Sequence, residues 1–180
     1  FIFYSSTVIP CFQRLVSAWR QWSREAGFPN MYIIAFHVPD ACADAVILPM
    51  AFTQKTLGYN VSLEHLIEGT SLRGYDYDAV WQDYLQYMPS QMNRTFWLGT
   101  VGFDDTPRRG MNGRVYLHAT PEKFENYFAK MVDKSLAMEN PFVFIDAWNE
   151  WGEGKYLEPD KKNEYKCLEA IKYVVSKYND

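Results

Sequence analysis

The chain has 180 residues, of which 48% are hydrophobic and 22% are charged, so one folded domain with a substantial core is expected rather than a disordered segment. Its formal net charge of −4 argues against binding to nucleic acid. No apolar run approaches the ~20 residues that cross a bilayer, so we expect no membrane span. The three cysteines are widely spaced and indicate neither a zinc site nor a disulfide framework.

The first half of the chain alternates between predicted strands and a predicted helix. Three short apolar runs are typical of buried strands: residues 1–8, 31–38 and 43–48. Residues 11–27 carry apolar side chains at helical spacing, and Gly27 stands where a helix end favours a left-handed residue. A loop-rich stretch then extends to about Gly74, and its length indicates a functional role.

The second half repeats this alternation. Two more strands are predicted at 94–101 and 141–148, and three helices at 77–88, 120–132 and 165–175. Thr120 followed by Pro121 is typical of an N-cap and first helical turn. Because no repeat or polar linker divides the chain, we predict a single domain over residues 1–180, with a parallel sheet covered by helices.

The stretch "AWNEWGEGKYLEPD" (147–160) directly follows the fifth predicted strand. In parallel α/β folds, binding and catalytic residues collect at the carboxyl ends of the strands. Glu150 and Glu153 would point to opposite faces of a strand but come together on a turn, which Gly152 and Gly154 allow. Paired carboxyls suit acid–base chemistry, because repulsion and burial raise the pKa of one while the other stays ionised.

The alternative interpretation is that the two glutamates are solvated loop charges. Their neighbours argue against it, because Trp148 and Trp151 offer flat faces for a ligand and Asn149 offers an adjacent polar side chain. We therefore predict a ligand site in this stretch.

A second polar cluster, "GFDDTPRRG" (102–110), follows the fourth predicted strand. Asp104 and Asp105 can orient sugar hydroxyls, and Arg108 or Arg109 can hold a carboxylate or neutralise an aspartate. Ordinary turn chemistry is the alternative, since Asp before Thr-Pro and Gly is common in turns. If the fourth and fifth strands are neighbours, this cluster faces the same cleft as the two glutamates.

His37 ends the second predicted strand, at the end of the sheet where a site is expected. It is a candidate substrate-binding residue, and a structural histidine with its hydrogen bonds satisfied is the alternative. The sequence contains no glycine-rich phosphate loop, serine-centred elbow or HExxH pattern.

Residues 147–160 and "FDDTPRR" (103–109) resemble the two signature segments of the WbsX-type, glycoside hydrolase family 99-like proteins. Other segments fit the same pattern: 19–35, 120–128 and the final helix. The resemblance therefore covers nearly the whole chain. Two residues of the second segment depart from it, since Asp105 and Phe103 stand where Asn and Trp are expected.

This resemblance implies a (β/α)8 barrel that acts on oligosaccharides or polysaccharides. It also implies two catalytic glutamates in an endo-acting, mannosidase-like reaction that retains configuration through the substrate's own 2-hydroxyl. Glu150 would assist deprotonation of that hydroxyl, and Glu153 would protonate the leaving oxygen and then activate water. No metal or other cofactor is needed. Four neighbours would shape the subsite: Trp148, Asn149, Trp151 and Tyr156.

The number of predicted strands is too small for a whole barrel, which typically needs ~250 residues. We therefore expect the α/β class and the C-terminal portion of a (β/α)8 TIM barrel, about strands four to eight. Its open sheet edges would be covered by the N-terminal part of the same barrel or by another chain. The isolated fragment is expected to be inactive.

Two other functions stay open at this point. WbsX-type proteins are often labelled glycosyltransferases of surface-polysaccharide biosynthesis, and "DYD" (76–78) has the shape of a nucleotide-sugar metal motif, although it fits a helix better. A non-catalytic carbohydrate-binding domain would keep the aromatic residues without needing both glutamates. The residues do not identify the compartment, which for a bacterial protein would be the cytoplasm or the periplasm.

Overall fold

The computed structural model describes residues 1–4, 9–36, 42–50 and 71–178. The helices of this part are α1 (Phe12–Glu25), α2 (Tyr77–Gln86), α3 (Thr106–Arg109), α4 (Pro121–Ala137) and α5 (Lys166–Ser176). The longer strands are β1 (Ile2–Tyr4), β2 (Ile34–Phe36), β3 (Ala45–Pro49), β4 (Arg73–Asp76), β5 (Thr95–Gly99) and β6 (Arg114–Leu117). Three two-residue strands follow, namely β7 (Phe144–Ile145), β8 (Asn149–Glu150) and β9 (Lys155–Tyr156).

The five strands predicted from apolar runs form one parallel sheet in the order β1-β2-β3-β5-β7. Thr95 of β5 lies opposite Val46 of β3, and Gly99 lies opposite Ile145 of β7. The chain reaches β5 from β3 by way of α2, and β7 from β5 by way of α4. Parallel strands need such crossover connections, so the predicted pattern of strands and helices is confirmed.

Local capping chemistry sets several helix boundaries. Gly27 follows the end of α1 with a φ of +80°, as predicted for a residue just beyond a helix. The Thr120 hydroxyl accepts a hydrogen bond from the Lys123 N–H at 3.2 Å and caps α4, which confirms the predicted start. Asp76 caps α2 in the same way, accepting from the Ala79 N–H at 3.0 Å.

Many of the buried aromatic side chains lie in the core between the sheet and helices α2 and α4. Trp81 of α2 stacks on Tyr127 of α4 with ring centroids 5.6 Å apart. Tyr84 meets Trp97 of β5 edge to face at 5.0 Å, and both tryptophans are fully buried. Aromatic pairs of this kind add to the stability gained from burial alone. Packing of the core therefore accounts for a large share of the aromatic residues.

A second, two-stranded parallel sheet was not predicted. It joins β4 to β6, with Tyr75 opposite Tyr116. These strands lie in the segments that follow β3 and β5 and precede α2 and α4, so they bring the starts of the two helices together. Lys123 and Asp78 then form an ion pair at 2.6 Å across the helix starts. The loop-rich stretch thus ends in a strand, while its residues 51–70 lie outside the described part of the chain.

The Tyr84 hydroxyl is predicted to be important for stability. It donates to the Leu48 carbonyl of β3 at 2.6 Å and accepts from the Leu98 N–H of β5 at 2.7 Å. Tyr84→Phe leaves both buried backbone groups without this partner, so we expect a loss of about 1–3 kcal/mol in the free energy of unfolding. Urea unfolding measures it, with Tyr173→Phe as a control at an exposed ring. Equal stability of the two variants would contradict this.

Candidate active site

The loops that follow β5 and β7 lie side by side at the carboxyl end of the sheet. The Asp146 N–H donates to the Gly99 carbonyl at 2.9 Å and extends the pairing of the two strands. Farther along, the Asp104 N–H donates to the Glu153 carbonyl at 2.7 Å. The fourth and fifth predicted strands are therefore neighbours, and their two polar loops meet as predicted.

A small hairpin presents the two glutamates. Strands β8 and β9 are antiparallel, and the turn between them contains a short 3-10 helix, Trp151–Glu153. Glu150 is exposed on β8, whereas Glu153 ends the turn. Gly154 follows with a φ of +58°, and a Cβ there would lie 3.0 Å from the backbone nitrogen of Asp104. Only glycine meets both the backbone conformation and this close approach.

Glu153 lies between two cations. Its Oε1 accepts a hydrogen bond from the Arg108 guanidinium, and its Oε2 lies 2.9 Å from the Lys155 ammonium. Burial acts to raise the pKa of Glu153, but the hydrogen bonds and charges of Lys155 and Arg108 outweigh burial, so the pKa is lowered. Glu153 is therefore ionised at neutral pH. A proton donor needs a raised pKa, whereas the pKa of Glu153 is lowered.

Lys155 is the residue that sequence reasoning missed. Its Nζ also lies 2.5 Å from Oδ2 of Asp146, the residue that directly follows β7. Burial acts to lower the pKa of Lys155, but its hydrogen bonds to Asp146 and Glu153 outweigh burial and raise it, so the ammonium stays charged. In the sequence, Lys155 is a lysine between two acidic segments. A lysine exposed to solvent has the same sequence pattern, so the sequence alone did not identify it as a site residue.

Glu150 has a different environment from Glu153. It is exposed and lies opposite Lys155 in the hairpin register. Within the described ranges, its carboxylate has no hydrogen bond or ion pair. Trp148 and Asn149, which precede it, are exposed as well. This side of the hairpin is thus accessible to a ligand.

Trp151 is held in place by its neighbours while staying exposed. Its ring stacks on Tyr156 with centroids 3.6 Å apart, and its Nε1 donates to Glu158 at 2.5 Å. The Tyr156 hydroxyl in turn donates to Asp160 at 2.9 Å. Burial, and next the hydrogen bond to Asp160, raise the pKa of Tyr156 to about 12, so this hydroxyl remains protonated. The indole is therefore a fixed aromatic face at the edge of the site.

The aspartates of the second cluster stabilise their own loop. Oδ1 of Asp104 accepts from the Thr106 N–H at 2.9 Å and from its hydroxyl at 2.6 Å. Asp105 is only 1% exposed, pairs with Arg109 at 3.1 Å and accepts from the Arg114 N–H at 2.5 Å. Burial removes Asp105 from contact with a ligand, which corrects the expectation that it orients sugar hydroxyls. Arg108 is the residue of this cluster whose side chain contacts the Glu153 carboxylate.

The sequence also singled out His37 and the motif "DYD" (76–78). His37 lies outside the described residues. In "DYD" (76–78), Asp76 caps α2, Tyr77 is buried and Asp78 pairs with Lys123, so these side chains have structural partners. Within residues 1–4, 9–36, 42–50 and 71–178, no group of acidic, histidine and cysteine side chains is arranged to hold a metal ion. None of the helices there has the length and hydropathy of a membrane span.

Solved structures share this architecture, which is a curled parallel sheet with covering helices from a partial (β/α) barrel. A "Glycoside hydrolase-like protein" superposes with a TM-score of 0.57 at 12% identity, covering 90% of this chain and 49% of its own. The GH99 endo-alpha-mannosidase from Bacteroides thetaiotaomicron superposes with a TM-score of 0.50 at 20% identity, covering 99% of this chain and 54% of its own. At such identities the likeness establishes the fold, and the predicted fold class is confirmed.

Sequence relatives identify the family. The family described as "Glycosyltransferase WbsX" matches residues 1–171. The protein WxcX of Xanthomonas campestris pv. campestris (strain B100) is 28% identical over 187 residues, which cover 98% of this chain and 27% of that protein. WxcX from a second strain of the same pathovar matches to the same extent. The chain belongs to the WbsX glycosyltransferase family, a family of carbohydrate-active enzymes, and spans about a quarter of the curated relatives it matches.

Two glycines of the hairpin provide a matched test of its geometry. Gly154→Ala forces a positive φ and a contact with Asp104, so we expect a loss of about 1–3 kcal/mol in the free energy of unfolding. Gly152→Ala is the control, because its φ is not positive and no described atom lies within 4 Å of its Cβ position. Urea unfolding compares the two variants. A smaller effect at Gly154 than at Gly152 would overturn this account of the hairpin.

Proposed function

We propose that this chain supplies the catalytic glutamates of an enzyme that cleaves glycosidic bonds in an oligosaccharide or polysaccharide. The observation that carries the proposal is the ionised carboxylate of Glu153, held by Arg108 and Lys155 at the carboxyl end of the sheet, beside the exposed Glu150. In barrel enzymes the active site lies at this end. Membership of a carbohydrate-active family supports the substrate class.

The roles of the two glutamates follow from their surroundings. A carboxylate that two cations keep ionised accepts a proton more readily than it donates one. We therefore assign Glu153 as the base that deprotonates the substrate's 2-hydroxyl, and Glu150 as the donor to the leaving oxygen. The family resemblance alone implies the reverse order. The two cations that contact Glu153, Arg108 and Lys155, are the reason for this departure.

The reaction balances over two displacements. In the first, the 2-hydroxyl loses its proton to Glu153 and its oxygen bonds to the anomeric carbon, while the glycosidic bond breaks and the leaving oxygen takes the proton of Glu150. In the second, Glu150 takes a proton from water, and the water oxygen attacks the anomeric carbon. The bond between the 2-oxygen and the anomeric carbon breaks, and Glu153 returns its proton to the 2-oxygen. Two inversions give net retention of configuration.

The exposed tryptophans account for binding in this proposal. Trp151 lies flat against Tyr156, so one of its faces is available to stack on a sugar ring. Trp148 and Asn149, both exposed, extend the surface on the side of Glu150. We propose that together they form the subsite next to the scissile bond.

Glycosyl transfer is the second candidate, because the family is described as a glycosyltransferase family. It uses the same acceptor surface but consumes a nucleotide sugar. The full-length protein is to be incubated with mannose-containing oligosaccharides, with and without nucleotide sugars, and the products analysed. Shorter products without a nucleotide sugar support hydrolysis, and extended products that require one support transfer.

The glutamate roles are separated by the quality of the leaving group. In the full-length protein, Glu150→Gln should lose kcat/KM at least about 100-fold on a natural glycoside. It should recover most of kcat/KM on an aryl glycoside, because kcat/KM reports the first displacement and this leaving group needs no proton. Glu153→Gln should stay impaired on both substrates, because assistance to the 2-hydroxyl is still missing. Hydrolysis rates for both substrates test this.

Glu150→Gln and Glu153→Gln are isosteric substitutions and are expected to keep the fold. Circular dichroism of both variants checks this. Recovery of Glu153→Gln on the aryl glycoside, with Glu150→Gln impaired on both, would reverse the two roles. Full activity of both variants would leave a non-catalytic carbohydrate-binding site.

Trp151 is expected to act on binding. Trp151→Ala should raise KM several-fold with little change in kcat, because stacking stabilises the bound substrate and the transition state alike. Trp22→Ala is the control, since that tryptophan is also exposed but belongs to α1, away from the hairpin. Steady-state kinetics on one oligosaccharide gives KM and kcat for both variants. An equal effect of the two substitutions would show that Trp151 does not contribute to the subsite.

A further inference from the structure

Lys155 connects the glutamate hairpin to the barrel. On β9, its Nζ lies 2.9 Å from Glu153 and 2.5 Å from Asp146, which continues β7. The lysine side chain is 17% exposed, and its Nζ lies 5.9 Å from the centre of the Phe103 ring. An ammonium in such a place is held by its partners, because a partly buried charge without partners is costly.

We propose that Lys155 is a positioning residue for the reaction: it ties Glu153 to Asp146 and holds its positive charge against the Glu153 carboxylate, which it directs at the substrate. The inference rests on the proposed function, since it deepens the role of the same site. Asp146 directly follows β7, so the ion pairs of Lys155 fix the hairpin directly against the end of a sheet strand. Sites supported in this way by the sheet hold their geometry better than free loops.

Asp146 and Lys155 lie at the carboxyl end of the large sheet. They border a cavity of about 50 Å³ together with residues from the carboxyl ends of β3 and β5, namely Pro49, Leu98 and Thr100. The pair therefore contacts the interior of the sheet on one side and Glu153 on the other.

The charged groups around Glu153 come from three elements. Arg108 of α3 approaches one carboxylate oxygen and Lys155 of β9 the other, while Asp146 beyond β7 shares the lysine. Arg109, the other cation of α3, is engaged by the buried Asp105. The protonation of Glu153 is consequently governed by two cations, of which Lys155 is also the partner of a second carboxylate.

Lys155 should lower the pKa of Glu153 more than Arg108 does. The Arg108 side chain is 53% exposed, against 17% for Lys155, so water screens the arginine charge more strongly. Both cations depress the pKa of Glu153, which stays ionised until the pH falls through that low value. Burial raises the pKa of Glu153, and removal of Lys155 takes away the main group that counteracts this effect. The pKa of Glu153 should therefore rise, so that Glu153 becomes protonated, and stops acting as a base, at a higher pH.

The pH dependence of kcat/KM for the full-length protein on an oligosaccharide tests the inference. In Lys155→Met the acidic limb of the profile should move up by about one pH unit. At a pH below this limb, kcat/KM of the variant should be about tenfold lower than that of the wild type. Lys155→Gln, which keeps a donor but no charge, should shift the limb in the same direction by less, and Lys155→Arg should remain near the wild type. Arg108→Met should move the limb by less. An unchanged limb in both neutral variants overturns the inference.

A second readout does not depend on activity. A water-soluble carbodiimide modifies protonated carboxyls, and peptide mass spectrometry gives the pH midpoint of modification at Glu153. This midpoint should rise in Lys155→Met and Lys155→Gln. Should Glu153→Gln be inactive while the midpoint stays unchanged in the lysine variants, the proposed function stands and the inference fails. Should Glu153→Gln be fully active, the proposed function fails, and the midpoint alone decides whether Lys155 controls Glu153.

Discussion

The pairing of β5 with β7 is the constraint on which the candidate site depends. It aligns Gly99 with Ile145, and the Asp146 N–H continues the ladder beyond the strands. Parallel neighbours end at the same edge of a sheet, so the loops that follow them must meet. The contact of Asp104 with the Glu153 carbonyl is a consequence of that alignment. Without it, the second polar cluster would have no route to the glutamates.

Electrostatics then divide the charged residues of these loops into two groups. Asp105 and Arg109 form a pair whose aspartate is fully buried, and this pair stabilises the loop itself. Arg108 and Lys155 instead converge on Glu153 and lower its pKa. A carboxylate kept ionised in this way is prepared to accept a proton. The exposed Glu150 differs in its surroundings, and such a difference between two carboxyls is what acid–base pairs require.

The sequence by itself determined the local elements and the location of the site. Periodic apolar residues predicted each strand of the large sheet, and capping residues such as Gly27 and Thr120 predicted where helices end or begin. The hairpin motif at 147–160 identified the two glutamates, because carboxylates beside tryptophans and glycines after a buried strand are unusual. These features depend on residues close together in the chain, so sequence patterns contain them. The short strands β4 and β6 lack such a pattern, since charged and small residues interrupt them.

Only the tertiary structure decided the state of the site. Arg108 and Glu153 are 45 residues apart, and their contact follows from strand order rather than from any motif. The same is true of Lys155, which sequence reasoning passed over, and of the buried Asp105, which it assigned to the ligand. A pKa depends on burial and on charges within a few ångströms in space. Sequence spacing does not specify those distances, so the sequence located the carboxylates and the fold determined that two cations surround Glu153.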